Sequence, residues 1–330
     1  MAYPIGSPYS GSAASPAYSG IFIPTLWAGK FIEKFYDATV LAAISNTDYE
    51  GEIRNMGDLV KIRTRPTISI ASYSATQALV VTRPSAASVD LNIDKGKYFN
   101  TVLDDVMEVQ ADADLLSLWA DDASEQMKIA VDNDALAFTL INGGTVAANK
   151  GLTAGRISAN LRLGATTTPA YVAEVAQGTG VGDTSANDRS VINHLVDLGQ
   201  VLDEQNIPES GRFVIVPAWY AAAIKRSELR DASISGDGSS MLRNGRLGMV
   251  DRFMIYVSNL LPAGVAGGLA AGEFAVYAGH KNGLTFASQM TKVETLRSES
   301  TFGTLLRGLQ VYGLGVIDGT CLATSVVAKG

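Results

Sequence analysis

The chain has one cysteine, Cys321, and two histidines, His194 and His280, in 330 residues. A single thiol excludes an intramolecular disulfide framework and suits a reducing compartment. Without more thiols or a histidine cluster, the soft ligands of a zinc site are missing, and Cys321 reads as a small core residue. No apolar run approaches the ~20 residues needed to cross a bilayer, so no membrane partner is expected. The first twenty residues have no basic residue leading into an apolar core and do not read as a signal peptide. Positive charge is scarce: 26 Lys and Arg against 33 Asp and Glu give a net charge of -7. That balance argues against general affinity for nucleic acid, which needs clustered bases.

Catalytic signatures are missing as well. Gly178-Thr179-Gly180-Val181-Gly182-Asp183 has no apolar strand before it and no Lys-Ser/Thr after it, so it reads as a flexible loop and not a phosphate cradle. There is no G-x-S-x-G elbow. Asp121-Asp122 and Asp132-x-Asp134 sit at helical positions that diverge and do not converge on one cation. The expectation is therefore no enzyme, with no catalytic, cofactor-binding or metal-binding residues.

What is present reads as globular: 47% hydrophobic and 18% charged residues, in one elaborate domain or two. The most informative stretch is Val109 to Ile141, which has neither Gly nor Pro. Val109, Ala113, Leu116, Ala120, Ala123, Met127, Ala130, Phe138 and Ile141 recur at helical spacing, with Trp119 and Val131 widening the stripe. As one helix it would be a rod of roughly 50 Å, stopped by Asn142-Gly143-Gly144. Its other face is acidic, with Asp104, Asp105, Glu108, Asp112, Asp114, Asp121, Asp122, Glu125, Asp132 and Asp134 against Lys128 alone.

The segment before it has the opposite charge. From Leu59, LVKIRTRPTISI alternates as a strand, with Leu59, Lys61, Arg63 and Arg65 on one side and Val60, Ile62 and Thr64 on the other. Pro66 confines this part to an edge, and LVVTRPSAASVDLNID returns as a second extended run. A long β-hairpin with a loose tip follows, bearing Arg54, Lys61, Arg63, Arg65 and Arg83 against Asp58. A lone hairpin is marginal in water, so something must hold it.

Elsewhere, residues 1–20 read as an extended arm, and Pro24 to Leu41 as an amphipathic helix with Trp27, Phe31, Phe35 and Ala38 on one face. The span from Gly144 to about Asp188 reads as weakly structured. Helices are expected at Ser190–Gln205 and from Pro217, strands at 212–216, 252–258 and 273–278, and a Gly- and Ser-rich loop at 231–249. The segment 280–290 is a tight turn or a short helix. Two extended segments follow from Thr291, parted by Ser298 to Gly303.

The order of these parts resembles the major capsid protein of tailed bacteriophages, in particular the short-tailed ones. The likeness lies in IPTLWAGKFIEKF (23–35), YEGEIRNMGDLVKIRT (49–64), the 109–141 segment, FVIVPAWYAAAI (213–224), RNGRLGMVDRFMIYVSNLLP (243–262), FAVYAGHKNGLTFASQ (274–289) and FGTLLRGLQVYGLGV (302–316). The resemblance implies an α+β chain with the Hong Kong 97-type capsid fold. Its parts would be an N-terminal arm at 1–20, an N-terminal helix region of the peripheral domain at 21–50 and an extended β-hairpin loop at 51–100. The long spine helix with the peripheral domain would occupy 101–149, the axial domain 150–290, and return strands of the peripheral domain with the C-terminus 291–330.

It further implies self-assembly into hexamers and pentamers of an icosahedral virion shell, built in the host cytoplasm with a separate scaffolding protein and a portal protein at one vertex. The shell would enclose double-stranded DNA without binding it tightly or specifically. No Lys–Asn cross-linking triad is matched. In this fold the loop of one subunit lies across its neighbour, which gives the charge split a use: Lys61, Arg63, Arg65 and Arg83 as donors, Asp114, Asp121, Asp122 and Glu125 as acceptors between subunits. An encapsulin shell enclosing an enzyme has the same fold, and a soluble metabolic enzyme is the alternative from another class.

Overall fold

The computed structural model describes residues 36–48, 59–66, 68–75, 77–86, 88–110, 114–137, 172–176, 188–226, 248–265, 269, 271–299 and 301–329. The arm, most of the first expected helix, the Asn142-Gly143-Gly144 stop and nearly all of the 231–249 loop lie outside them.

Strand β6 (Arg212–Val216) separates the two larger hydrophobic cores among the described residues. All five of its residues are buried, and its side chains alternate between two layers. Val214 and Val216 face α4 (Val191–Glu204) and α5 (Ala218–Arg226), packing with Leu195, Leu198, Leu202, Tyr220 and Ile224. Phe213 and Ile215 face the other way, into a core with Val40, Leu41, Val131, Leu136 and Tyr312.

Around β6 runs a seven-stranded mixed sheet. Its members are β4 (Val172–Ala176), β5 (Asp188–Ser190), β7 (Met249–Val250), β8 (Phe253–Val257), β9 (Glu273–His280) and β12 (Leu322–Lys329), in the order β5-β4-β12-β9-β6-β8-β7. Four of these strands were not expected: β5 runs into the start of the expected 190–205 helix, and β7 begins at the end of the expected 231–249 loop. β4 falls in the span read as weakly structured, and β12 follows the last expected strand. β12 is parallel to β4 and antiparallel to β9, so its LATSVVA run has neighbours on both edges and is buried from Leu322 to Val327.

His194 sits fully buried between α4 and this sheet. Its Nδ1 lies 2.8 Å from the Tyr220 hydroxyl, its Nε2 lies 2.9 Å from Ser325 Oγ, and the Tyr220 hydroxyl donates to the Val191 carbonyl at 3.1 Å. The imidazole is a core connector. At the sheet's edge, β7 turns into β8 through Asp251 and Arg252, both at positive φ (45° and 68°), which disfavours side chains. Arg252 holds this turn by two hydrogen bonds to Asp203, which also receives the buried Arg212 at 2.7 Å.

The second sheet is β10-β11-β3, formed by β10 (Leu284–Arg297), β11 (Gly303–Val316) and β3 (Lys95–Asp104), all antiparallel. The ambiguous 280–290 segment is a 3-10 turn at Lys281–Gly283 running into β10. A separate pair, β1 (Leu59–Arg63) with β2 (Ser88–Asn92), makes the base of the expected hairpin. Ile62, Leu91 and Ile93 hold that base on Ala287, with Val60 and Val311 alongside. Gly313 makes the seating possible, because a Cβ there would lie 2.5 Å from the Asn92 carbonyl oxygen. Gly313→Ala is expected to cost about 1–3 kcal/mol through overpacking. A thermal melt should show the loss, and hydrogen exchange should rise in β1 and β2 before the rest of the chain.

The N-terminal helix expectation needs correction where it can be seen. Residues 36–40 are not helical and Ala38 is exposed; the helix there is the single turn α1 (Leu41–Ile44).

Candidate subunit interface

The expected single rod of 109–141 is two helices among the described residues, α2 (Asp105–Gln110) and α3 (Leu115–Ala135). Asp114 is the reason α3 starts where it does. Its carboxylate accepts the Ser117 N–H at 3.3 Å, a helix cap that competes with continued helix through the same residue. At 21 residues α3 is about 31 Å long.

Burial along α3 is uneven. Val131, Asp132 and Ala135 are buried at its C-terminal end, whereas Leu116, Trp119, Ala120, Ala123, Met127 and Ala130 are only half-buried, and Val109 is 84% exposed. The apolar stripe is thus only partly covered among the described residues.

Two carboxylates near the buried end tie the helix to both sides of the molecule. Asp132 accepts the backbone N–H groups of Val40 at 3.0 Å and Leu41 at 2.7 Å, capping α1. Burial raises its pKa, opposed by those two donors. Asp134 points elsewhere, accepting from the Tyr312 hydroxyl at 2.6 Å and Lys97 at 3.3 Å. Those bonds and the Lys97 charge outweigh desolvation and hold its carboxyl below the usual range. The two acids diverge, as helical spacing requires. The Tyr277 hydroxyl closes the helix end by donating to the Leu136 carbonyl at 3.3 Å.

The four expected acceptors fare differently. Asp114 is the cap just described. Asp122 accepts from the Tyr36 hydroxyl at 2.9 Å and keeps that phenol above its ordinary pKa. Glu125 pairs with Lys128 at 2.6 Å. Asp121 is exposed, and its carboxylate has no partner among the described residues. The expected donors Lys61, Arg63, Arg65 and Arg83 are all exposed and make no ion pair with the described residues of their own chain. The structure does not bring donors and acceptors together within one chain.

Between the two halves of the hairpin, the described residues from Thr64 to Ala86 carry no strand, so the expected second extended run pairs only at its end, in β2. Pro66 and Pro84 cannot donate to a ladder, and among the described residues no third strand supports the pair. What stands out there is uncovered apolar surface: Ile68 is 66% exposed, Ile70 94%, Tyr73 73%, Leu79 80%, Val80 82% and Val81 87%.

The family described as "Phage capsid protein" matches residues 88–325, from β2 to within β12. The chain belongs to the phage capsid protein family. A solved chain of Mycobacterium phage Che8 is 25% identical with a TM-score of 0.70, over 94% of this chain and 98% of that one. The capsid of Cyanophage P-SCSP1u matches at 17% identity and TM-score 0.67, over 94% of each chain. The mature capsid of bacteriophage PhiM1 matches at 15% and 0.62, over 98% of each. A comparison with curated proteins finds no match.

The fold is the Hong Kong 97-type capsid fold, and the protein is the major capsid protein of a tailed phage. It associates with copies of itself as the icosahedral shell of the virion. The soluble enzyme and the encapsulin are not favoured. For a shell protein, a half-covered spine helix and a bare apolar loop are surfaces still to be buried. Sequence reasoning singled out the exposed charges of the capsid protein but missed the buried Asp132. Its signal was weak: Ile129, Ala130 and Val131 precede it and Ala135 and Leu136 follow, but Asn133 and Asp134 between them make the turn read as polar.

Proposed function

We propose that each capsid subunit is completed by its neighbours, the extended loop of one copy lying across the spine helix and peripheral domain of the next. The observation that carries this is the bare apolar surface from Ile68 to Val81 on a hairpin whose base is held firmly and whose tip packs on nothing of its own. Monomeric proteins seldom leave so much contiguous apolar surface uncovered. Lys61, Arg63, Arg65 and Arg83 guide the loop by long-range attraction to the acidic helix. Asp121 is the acceptor whose carboxylate has no partner among the described residues, and Asp114, Asp122 and Glu125 add to the field while keeping their local partners. Exposed pairs contribute only ~0.2–1 kcal/mol each, so apolar area supplies most of the affinity.

In this reading residues 1–20 are the arm, 51–100 the extended loop, and 101–149 the spine with part of the peripheral domain. The seven-stranded sheet with α4 and α5 forms the axial domain over 150–290, joined by β12 from the 291–330 segment, whose earlier strands belong to the peripheral domain. Subunits group as hexamers and pentamers in the host cytoplasm, with a separate scaffolding protein and a portal protein at one vertex. The acidic shell encloses double-stranded DNA without gripping it, because a net charge of -7 repels phosphate. The role is structural, with no reaction, cofactor or metal.

Reversing Arg63 and Arg65 to Glu tests the steering charges. Shells counted by electron microscopy at moderate salt should become several-fold fewer, with the monomer's melting temperature unchanged. Equal numbers of shells would remove the electrostatic part of the reading.

A further inference from the structure

A cavity of about 280 Å³ opens beside the spine, between α1, α3 and the β10-β11 pair. Leu41, Ala42, Val131 and Phe286 give it apolar walls, and Thr39 and Lys128 also line it. Along α3, Asp121, Glu125, Lys128 and Asp132 follow one another at four-, three- and four-residue steps, so they share a face of the helix. The cavity therefore lies on the face that carries the partnerless Asp121, about 10–15 Å further along the axis.

We propose that this cavity takes Leu79 and Val81 of a neighbouring copy's loop, and that Arg83 of that copy then pairs with Asp121. The inference rests on the loop-docking reading above and assigns its register. Side chains two apart in an extended chain point the same way. Docked as an extended chain, Leu79, Val81 and Arg83 share one side, two aliphatic groups followed by a base. The other exposed pair, Ile68 and Ile70, does not meet this condition, because Arg65 lies an odd number of residues away and points opposite. From Leu79 to Arg83 an extended chain covers about 13 Å, which matches the span from the cavity to Asp121 on the helix. The charges are complementary: Arg83 is exposed with no ion pair among the described residues, and Glu125 beside Asp121 is already neutralised by Lys128 at 2.6 Å.

The native thiol makes a clean test possible. Cys321 is buried, and burial, with Asp318 nearby, pushes its thiol up to about 12, so it stays unreactive. Full-length protein carrying Val81→Cys and Ala42→Cys, assembled and then oxidised, should run as a ladder of disulfide-linked multimers on a non-reducing gel. The Ile70→Cys, Ala42→Cys protein should run as monomer.

In parallel, Arg83→Glu should lower the yield of shells at least tenfold, and adding Asp121→Lys should restore it. Asp121→Lys should not restore an Arg63→Glu protein. Shells of the Val81, Ala42 variant that give no ladder, or an Arg83→Glu defect that Asp121→Lys fails to repair, would overturn this register. In that event loss of shells on removing the loop's apolar side chains would still support loop docking. Normal shells after that removal would overturn both.

Discussion

Replacing Leu79, Val80 and Val81 together by serine is expected to leave the monomer as stable as before and to abolish shells. The three side chains are 80–87% exposed in the folded chain, so their loss removes almost no intramolecular packing. Burying a Val or Leu side chain at an interface contributes about 1.5–3 kcal/mol. Losing three at one contact therefore weakens it by roughly 5 kcal/mol, on the order of a thousandfold or more in association. In the proposed docking every subunit gives one such loop and receives another, so the deficit recurs at each contact. Sedimentation and electron microscopy read the shells, and calorimetry reads the monomer. Normal assembly of the triple variant would overturn the proposed docking.

Asp132→Ala is expected to act inside the subunit. It removes the acceptor of the Val40 and Leu41 N–H groups, whose residues are only 5% and 8% exposed. A buried donor left without a partner costs about 1–3 kcal/mol, so two of them predict a loss of about 2–5 kcal/mol and detachment of α1 from the spine.

The pH dependence has a definite sign. The carboxyl titrates above its ordinary value of 3.8 because burial disfavours the charged form. A raised folded value means that ionisation weighs against the native state as pH rises from 3.8 through that value. The deficit of Asp132→Ala is therefore larger below pH 4 than at pH 7. Chemical denaturation at the two pH values checks both size and sign; a deficit that grew with pH would contradict the account.

The contrast between the two variants follows from what one chain can bury. Local patterns were legible where a residue's neighbours in sequence are also its neighbours in space. Alternation at 59–63 correctly divided the exposed Lys61 and Arg63 from Val60 and Ile62. The helices at 191–204 and 218–226 follow from apolar spacing and from Pro217, and the strand at 212–216 from an unbroken apolar run. The likeness to tailed-phage capsid proteins was likewise readable from seven phrases in order.

Periodicity went wrong where a polar side chain took the backbone for itself. The apolar stripe passes through Asp114 without interruption, but the carboxylate caps Ser117 and begins a new helix there. It also went wrong where strand character depends on partners. LATSVVAK became β12 because β4 and β9 flank it, while 77–86, with a more apolar start, found no strand partner among the described residues.

The family was legible in the resemblance of seven phrases, and the opposite charges of ribbon and helix and most secondary structure in residue type and short-range spacing. Only the tertiary structure decided which acids were already engaged, leaving the Asp121 carboxylate without a partner among the described residues, and where an open cavity lies along the spine. Those outcomes depend on groups many residues apart, such as Tyr36 with Asp122 and Tyr312 with Asp134, whose meeting no local pattern encodes.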